Sequence, residues 1–298
     1  DVSPVDVAEA FIRRIDALEP QLNAFITRAD EHALLAAREA EKEILRGNYK
    51  GPFHGIPVGL KDLFWTKGVR TTSGSVIDGD FVPTEDSAVA SRMKAAGAYF
   101  IGKLHMTEFA FDGTSLNRHY GPARNPWNLA RMAGGSSSGP GAAVASGQVP
   151  IAMGTDTGGS VRVPAALCGI TGLKPTFGLI SRYGVTPLSW SMDHVGPMTR
   201  TVRDAALALN MLAGYDTRDP DSVEMQPKNY LEGLDRGIQK IRIGVPSDFV
   251  WDVMDFEVEK AFRAAMVQME SLGSHTREVS TTDLGLINSA GSVVQTSE

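Results

Sequence analysis

Cysteine is nearly absent from this 298-residue chain, because Cys168 is the only one. A single cysteine excludes an intramolecular disulfide framework and a cysteine-rich zinc site. No run of 18 apolar residues occurs, so the sequence predicts no transmembrane helix and no membrane partner. The chain has 29 Lys and Arg against 35 Asp and Glu, a formal charge of −6. That balance argues against direct binding to nucleic acid, which usually needs a basic face. A signal-peptide pattern is also missing, and a cytoplasmic location is the expectation.

The remaining composition is that of a globular protein with a large core. Apolar residues make up 42% of the chain and charged residues 21%, which excludes disorder as the dominant state. Helical and extended patterns alternate along the sequence, and this alternation indicates a layered α/β fold. A helix is predicted to start at Ser3-Pro4, with others over 31–45, 86–96, 201–213 and 258–272, and strands over 98–101, 241–245 and 276–279.

Several familiar motifs are incomplete. Gly97–Lys103 has the spacing of a phosphate-binding P-loop, but Leu104 stands where that motif needs Ser or Thr. Ser160 is not in an α/β-hydrolase elbow, because Arg162 replaces the second glycine. The six histidines show no HExxH spacing, and no metal site is predicted. Cys168 is interpreted as a small buried thiol.

Three other segments combine groups that suit acyl transfer. An apolar segment, Gly55–Asp62, carries Lys61 near its end, and the Gly/Ser-rich stretches 134–139 and 154–164 carry Ser136 and Ser160. Glycines before a helix start can turn several backbone N–H groups toward one point. The turn from Thr157 to Ser160 is therefore predicted to form an oxyanion hole, with the Ser160 hydroxyl as the nucleophile.

A serine hydroxyl needs a base, and Lys61, acting through the Ser136 hydroxyl, is the candidate. A free lysine has a pKa of about 10.4, so this role requires an amine whose pKa is strongly lowered. Burial can provide that, since buried lysines reach pKa values of about 5–6. The mechanism therefore predicts a buried Lys61. On spacing alone, an exposed lysine paired with Asp62 is the commoner arrangement.

The chain resembles the amidase signature family. The stretch 134–164 follows the family's glycine- and serine-rich signature, including the 24-residue spacing between Ser136 and Ser160. The segment around Lys61 resembles the family's lysine motif. Further similar blocks are Gly121-Pro-x-x-Asn125-Pro-Trp127, Cys168-Gly-Ile-x-Gly-Leu-Lys174-Pro and Asp193-His-x-Gly196-Pro-Met-Thr-Arg200. The resemblance implies an α/β fold with one mixed, twisted β-sheet covered by helices on both faces.

The resemblance also implies roles for individual residues. Ser160 would attack the amide carbonyl, and Ser136, after a cis Gly135–Ser136 peptide bond, would connect Ser160 to Lys61. The backbone N–H groups of Thr157, Gly158, Gly159 and Ser160 would form the oxyanion hole, and Asp156 and Arg162 would hold the loop. The substrate channel would be lined by Ala110, Phe111, Asp112 and Gly113. Pro140 departs from the usual small residue after the serine cluster, at the start of a helix.

The expected function is hydrolysis of a linear carboxylic amide through a Ser160 acyl-enzyme, without metal or organic cofactor. The expected partner is a small-molecule amide, and a homodimer is left open. One alternative is the glutamine-using A subunit of a tRNA-dependent amidotransferase. Another is a catalytically silent, truncated binding protein. Family members are usually much longer, so residues 1–298 are expected to form a single domain that lacks the family's C-terminal part.

Overall fold

A computed structural model describes residues 2–226, 228–247, 250–251, 254–281 and 283–298. The chain divides into two compact units, Asp1–Tyr230 and Leu231–Glu298, and each is described by itself. That residues 1–298 form a single domain stays a prediction. Within the described ranges, no helix is both long and apolar enough to cross a membrane.

A mixed six-stranded sheet forms the centre of the first unit. The strands of this unit are β1 (Phe25–Arg28), β2 (Pro57–Lys61), β3 (Tyr99–Leu104), β4 (Arg124–Asn125), β5 (Asn128–Met132), β6 (Ile151–Asp156), β7 (Thr171–Gly172) and β8 (His194–Thr199). Their order in the sheet is β1-β3-β2-β6-β8-β7, and β4 and β5 form a separate antiparallel pair. Strand β2 is parallel to both β3 and β6, while β1, β8 and β7 run antiparallel to their neighbours.

Helices cover both faces of this sheet, as predicted. They are α1 (Pro4–Leu22), α2 (Asp30–Leu45), α3 (Ala88–Ala95), α4 (Ser138–Ala145), α5 (Arg162–Cys168) and α6 (Val202–Leu212). Because side chains alternate along a strand, β3 contributes to two cores. Tyr99 and Ile101 pack with α1, α2 and α4, whereas Phe100 packs with α3 and α6.

Local sequence signals set the boundaries of several helices. The Ser3 side chain accepts hydrogen bonds from the backbone N–H groups of Val5 and Asp6, and Pro4 follows it as the first helical residue. This is the predicted N-cap of α1. The helix after the second serine segment begins at Arg162, also as predicted. Pro140 lies in the first turn of α4, where a missing backbone N–H leaves no hydrogen bond unmade.

The second unit contains a strand–helix–strand element followed by a helix. Strand β9 (Arg242–Pro246) pairs in parallel with β10 (His275–Val279), and α7 (Phe256–Ser271) connects them. The final helix, α8, covers Leu284–Ser297. The predicted strands and helix of this region agree with the observed ones to within two residues at each end.

The central strands bring the candidate residues to one edge of the sheet. Strands β2 and β6 are parallel neighbours, so their carboxyl ends lie at the same edge. Lys61 ends β2, while Thr155 and Asp156 end β6. In open α/β sheets, ligands bind outside the carboxyl ends of the strands.

Candidate active site

Lys61 is fully buried and contacts two hydroxyl groups. Its Nζ lies 2.7 Å from Ser136 Oγ and 2.8 Å from Thr155 Oγ1, and the residue is 0% exposed. The alternative of an exposed lysine paired with Asp62 is therefore wrong. The Asp62 carboxylate instead lies 3.7 Å from Lys103 Nζ.

The environment of Lys61 favours the neutral amine. Burial lowers the pKa of Lys61 to about 7, against the opposing influence of the Asp193 and Asp156 carboxylates. A large fraction of this amine is therefore unprotonated at neutral pH. The two hydroxyls meet the amine directly, whereas the two carboxylates act on it only at a distance.

Ser136 is held on both sides by the backbone. The peptide bond Gly135–Ser136 is cis, and Ser136 is 0% exposed. Gly135 N–H donates to Gly113 O at 2.8 Å, and Thr107 N–H donates to Ser136 O at 3.3 Å. A Cβ on Gly135 would lie 1.8 Å from Thr114 O. Only glycine fits beside this carbonyl.

Ser160 is joined to the segment that carries Ser136, and its side chain is half-buried. The two serine segments meet where Ser137 N–H donates to Ser160 O at 3.3 Å. In the ranges that the structure covers, no hydrogen bond is formed by the Ser160 hydroxyl. The Ser136–Ser160 hydrogen bond stays a prediction, while the Lys61–Ser136 contact that it would extend is present.

Asp156 organises the turn that carries Ser160. Its carboxylate accepts hydrogen bonds from the backbone N–H groups of Gly159 (2.8 Å) and Val161 (3.1 Å). It also binds the Arg162 guanidinium at 2.9 and 2.8 Å. Burial alone would raise the pKa of Asp156, but the hydrogen bonds and charge of Arg162 hold it below its usual value. Asp156 and Arg162 therefore hold the loop, as the resemblance implied.

The predicted oxyanion hole is partly engaged. Because the Gly159 N–H points to Asp156, it is not directed at a substrate. The N–H groups of Thr157, Gly158 and Ser160 have no acceptor among the described residues. These three stay the candidates for binding an oxyanion.

Two residues near the site were not among the predicted site residues. Thr155 is the second hydroxyl on Lys61, and its position beside Asp156 at the end of β6 was the only available signal. Asp193 accepts a hydrogen bond from Thr157 Oγ1 at 2.5 Å. It also accepts one from Leu188 N–H at 2.8 Å, so it joins the Ser160 turn to a second loop. Asp193 did stand in one of the blocks that resemble the family.

The predicted substrate segment, Ala110–Gly113, borders the Ser136 peptide. Ala110 is buried, whereas residues 111–113 are exposed. The backbone of Ala110 has a φ of 62°, a left-handed conformation that is uncommon for a non-glycine residue. The hydrogen bond from Gly135 N–H to Gly113 O places this segment at the mouth of the site, and its role in substrate binding stays a prediction.

Cys168 and His105 are both buried in surroundings that do not suit a general base. Cys168 is buried in the first unit, and burial raises the pKa of its thiol to about 12. His105 is buried beside Ser138 Oγ and Gly121 O, and burial lowers its pKa to about 4. No group of three or more potential metal-ligating side chains is found in the described part of the chain.

Comparison with known proteins identifies close relatives. The A subunit of glutamyl-tRNA(Gln) amidotransferase from Carboxydothermus hydrogenoformans is 45% identical over 280 residues, which cover 94% of this chain and 58% of that protein. The solved peptide amidase from Stenotrophomonas maltophilia is 33% identical with a TM-score of 0.91, covering 97% of this chain and 61% of that one. A structure from a vestigial protein complex, described as revealing the origins of an s-triazine catabolic enzyme, is 39% identical with a TM-score of 0.95. It covers 100% of this chain and 64% of that one.

The chain thus spans less than two thirds of the length of each of these relatives. The family model described as Amidase matches residues 6–298. The shared fold and this nearly complete match lead to one conclusion, that the chain belongs to the amidase family, the amidase signature enzymes.

Proposed function

We propose that this protein cleaves the C–N bond of a carboxylic amide through an acyl-enzyme on Ser160. The observation that carries the proposal is the buried Lys61 amine, 2.7 Å from the Ser136 hydroxyl. A buried amine that is partly neutral at pH 7, beside a hydroxyl, is the base that an activated serine requires. The membership of the amidase family supports the same reaction type.

The proposed acylation step moves one proton along this chain of groups. Ser160 Oγ forms a bond to the carbonyl carbon and passes its proton to Ser136 Oγ, while the Ser136 proton moves to the neutral Lys61 Nζ. The negative charge on the carbonyl oxygen is held by backbone N–H groups of Thr157, Gly158 and Ser160. The C–N bond then breaks, and the leaving amine takes a proton from Ser136, which Lys61 replenishes. A water molecule then attacks the acyl carbon and passes a proton through Ser136 to Lys61. The bond between the acyl carbon and Ser160 Oγ breaks, this oxygen takes a proton back from Ser136, and the carboxylic acid leaves.

In this scheme, Thr155 orients the Lys61 amine so that its lone pair faces Ser136. The neutral amine has two N–H groups and one lone pair. If one N–H donates to Thr155 Oγ1, at 2.8 Å, the lone pair can accept the Ser136 proton. Asp156 and Asp193 contribute at a distance, since their negative charge stabilises the lysine ammonium that forms during acylation.

A second candidate is the glutamine-using A subunit of a tRNA-dependent amidotransferase. The relative from Carboxydothermus hydrogenoformans, 45% identical over 280 residues, carries that name. The bond-breaking chemistry at Ser160 would be the same, with glutamine as the amide and a partner protein receiving the ammonia. The relative named peptide amidase, at 33% identity, supports instead the first candidate, an amidase.

Ammonia release from acetamide, benzamide, a C-terminal peptide amide and glutamine separates these candidates. We expect hydrolysis of at least one amide by the wild type, and none by Ser160→Ala. A serine-directed fluorophosphonate should modify Ser160, as mapped by mass spectrometry. Ammonia release from glutamine but from none of the other three amides, with a higher rate when partner subunits are added, would favour the amidotransferase role. Equal rates for wild type and Ser160→Ala would refute an acyl-enzyme on Ser160.

A further inference from the structure

A buried ion pair lies directly beside the proposed base, and the mechanism above does not use it. Asp62 follows Lys61 in the chain, and Lys103 lies on the neighbouring strand β3. Both residues are 0% exposed, and Asp62 Oδ1 lies 3.7 Å from Lys103 Nζ. Burying two charges has a large desolvation cost. Other hydrogen bonds to Asp62 and Lys103 must therefore offset the cost of burying this ion pair.

Lys103 fixes the backbone around Asp62. Its Nζ donates to Phe64 O and to Thr71 Oγ1, each at 2.6 Å. These two contacts join the turn after β2 to the loop that contains residues 71–74. The Lys103 ammonium also lies beside the Asp62 carboxylate. It therefore connects the turn after β2 and the 71–74 loop to strand β3. Burial lowers the pKa of Lys103 to about 8 and raises the pKa of Asp62, with the two charges opposing these shifts.

Asp62 binds the same loop from the other side. Its Oδ2 accepts hydrogen bonds from the Thr72 backbone N–H, at 2.9 Å, and from the Thr72 hydroxyl. The Asp62 backbone carbonyl accepts the N–H of Ser73 at 2.9 Å. Thr72 and Ser73 are both buried, so water does not compete for these bonds. Residues 72 and 73 are therefore held by both the side chain and the backbone of Asp62.

The next contact leads to the candidate substrate segment. The carbonyl of Ser73, a residue in a left-handed conformation with a φ of 54°, accepts the backbone N–H of Phe109 at 2.9 Å. Phe109 and Ala110 are themselves left-handed, with φ values of 47° and 62°. Non-glycine residues keep such a backbone only where the surroundings determine it. The Ser73 carbonyl is one of the groups that does so here.

We propose that Asp62, held by Lys103, is a positioning residue that fixes segment 109–113 through Thr72 and Ser73. This inference depends on the proposed function in one respect, that segment 109–113 borders the site where the amide binds. The end of the segment contacts Gly135, whose N–H donates to Gly113 O at 2.8 Å. Ser136 keeps a separate anchor on Lys61, so loosening of the segment affects substrate binding more than the chemical step.

Three variants test this connection in the intact protein. Asp62→Ala removes the acceptor for Thr72 but leaves the Lys103 ammonium without its counter-charge. Thr72→Val removes the hydroxyl that donates to Asp62 and accepts from the Gly74 N–H, while both charges of the ion pair remain. Thr72→Ser keeps the hydroxyl. Thr199→Val is the matched control, because Thr199 is also fully buried. Among the residues that the structure describes, its hydroxyl bonds only the Thr201 carbonyl, at the far end of β8.

Hydrogen–deuterium exchange measures the segment directly and requires no activity. Loss of one hydrogen bond to a charged group corresponds to about a tenfold change in an opening equilibrium. We expect Thr72→Val to speed exchange in a peptide covering residues 105–116 at least about tenfold, because the variant also loses the Gly74 contact. Thr72→Ser and Thr199→Val should match the wild type. Unchanged exchange in a folded Thr72→Val variant overturns the proposal.

Kinetics on the best amide of the panel test the consequence for binding. We expect Thr72→Val to raise KM about tenfold, while kcat stays within about threefold of the wild type, and Thr72→Ser to restore KM. Faster exchange with unchanged KM and kcat overturns the positioning role. Faster exchange in a protein whose wild type cleaves none of the amides supports the positioning contact and refutes only the proposed function.

Discussion

Replacing Lys61 by methionine is expected to stabilise the protein at neutral pH while abolishing the proposed activity. Burial lowers the pKa of this amine from 10.5 to about 7. In the unfolded chain the lysine takes up a proton near pH 10.4, whereas in the folded state it does so only near pH 7. Between these values the unfolded state binds more protons, so the wild type becomes more stable as the pH rises.

The magnitude follows from the same two pKa values. The penalty for burying this amine is roughly 4 kcal/mol at pH 7 and falls to roughly 1 kcal/mol at pH 10. Methionine removes the penalty but also loses the hydrogen bonds to Ser136 and Thr155, at about 1 kcal/mol each at any pH. The variant should therefore be the more stable protein at pH 7 and the less stable one at pH 10.

Urea unfolding followed by far-UV circular dichroism at pH 7, 8, 9 and 10 measures the effect. The informative quantity is the difference in unfolding free energy between variant and wild type, which cancels the titration of all other groups. Lys42→Met is the control, since Lys42 is an exposed lysine of α2, and its difference should not change with pH. A Lys61→Met difference that is the same at pH 7 and pH 10 would refute a buried, neutral Lys61.

Two further predictions concern activity and packing. Because the proposed base, Lys61, can accept a proton only when it is unprotonated, kcat/KM should rise with pH and level off above an apparent pKa near 7, measured in a pH–rate profile. A profile without that rise between pH 6 and 8 would exclude Lys61 as the titrating base. Gly135→Ala should destabilise the protein by roughly 1–3 kcal/mol in urea unfolding, because the new Cβ would lie 1.8 Å from Thr114 O. Gly113→Ala is its control, with nothing within 4 Å of the added atom, and an equal loss in both variants would contradict the packing argument.

Local sequence patterns were sufficient to predict a helix or strand where a short stretch of chain determines that element. The N-cap at Ser3 and the strand–helix–strand of the second unit follow from capping residues and periodicity. Strand β8 was not predicted, because it contains Gly196-Pro197, a pair that ordinarily indicates a turn. It forms a buried strand because β6 and β7 pair with it on either side.

In the candidate site, too, some features could be predicted from the sequence and others depend on distant contacts. The residue types and the spacing between Ser136 and Ser160, through their resemblance to a family, were enough to predict candidate reacting groups from the chain alone. Whether Lys61 is buried could not be read from its neighbours, because its partners Ser136 and Thr155 lie 75 and 94 residues away. Likewise, Asp62 pairs with Lys103 on β3 and not with the adjacent Lys61.

The amino-acid sequence thus determined which chemical groups are present, the alternation of helices and strands, and the glycines that permit close backbone contacts. Only the tertiary structure decided the protonation of Lys61 and the use of the Gly159 N–H by Asp156. The physical reason is that solvation and hydrogen bonding depend on which distant segments meet. The packing of β2 against β3 and β6 excludes water from the amine, and no local pattern encodes that exclusion.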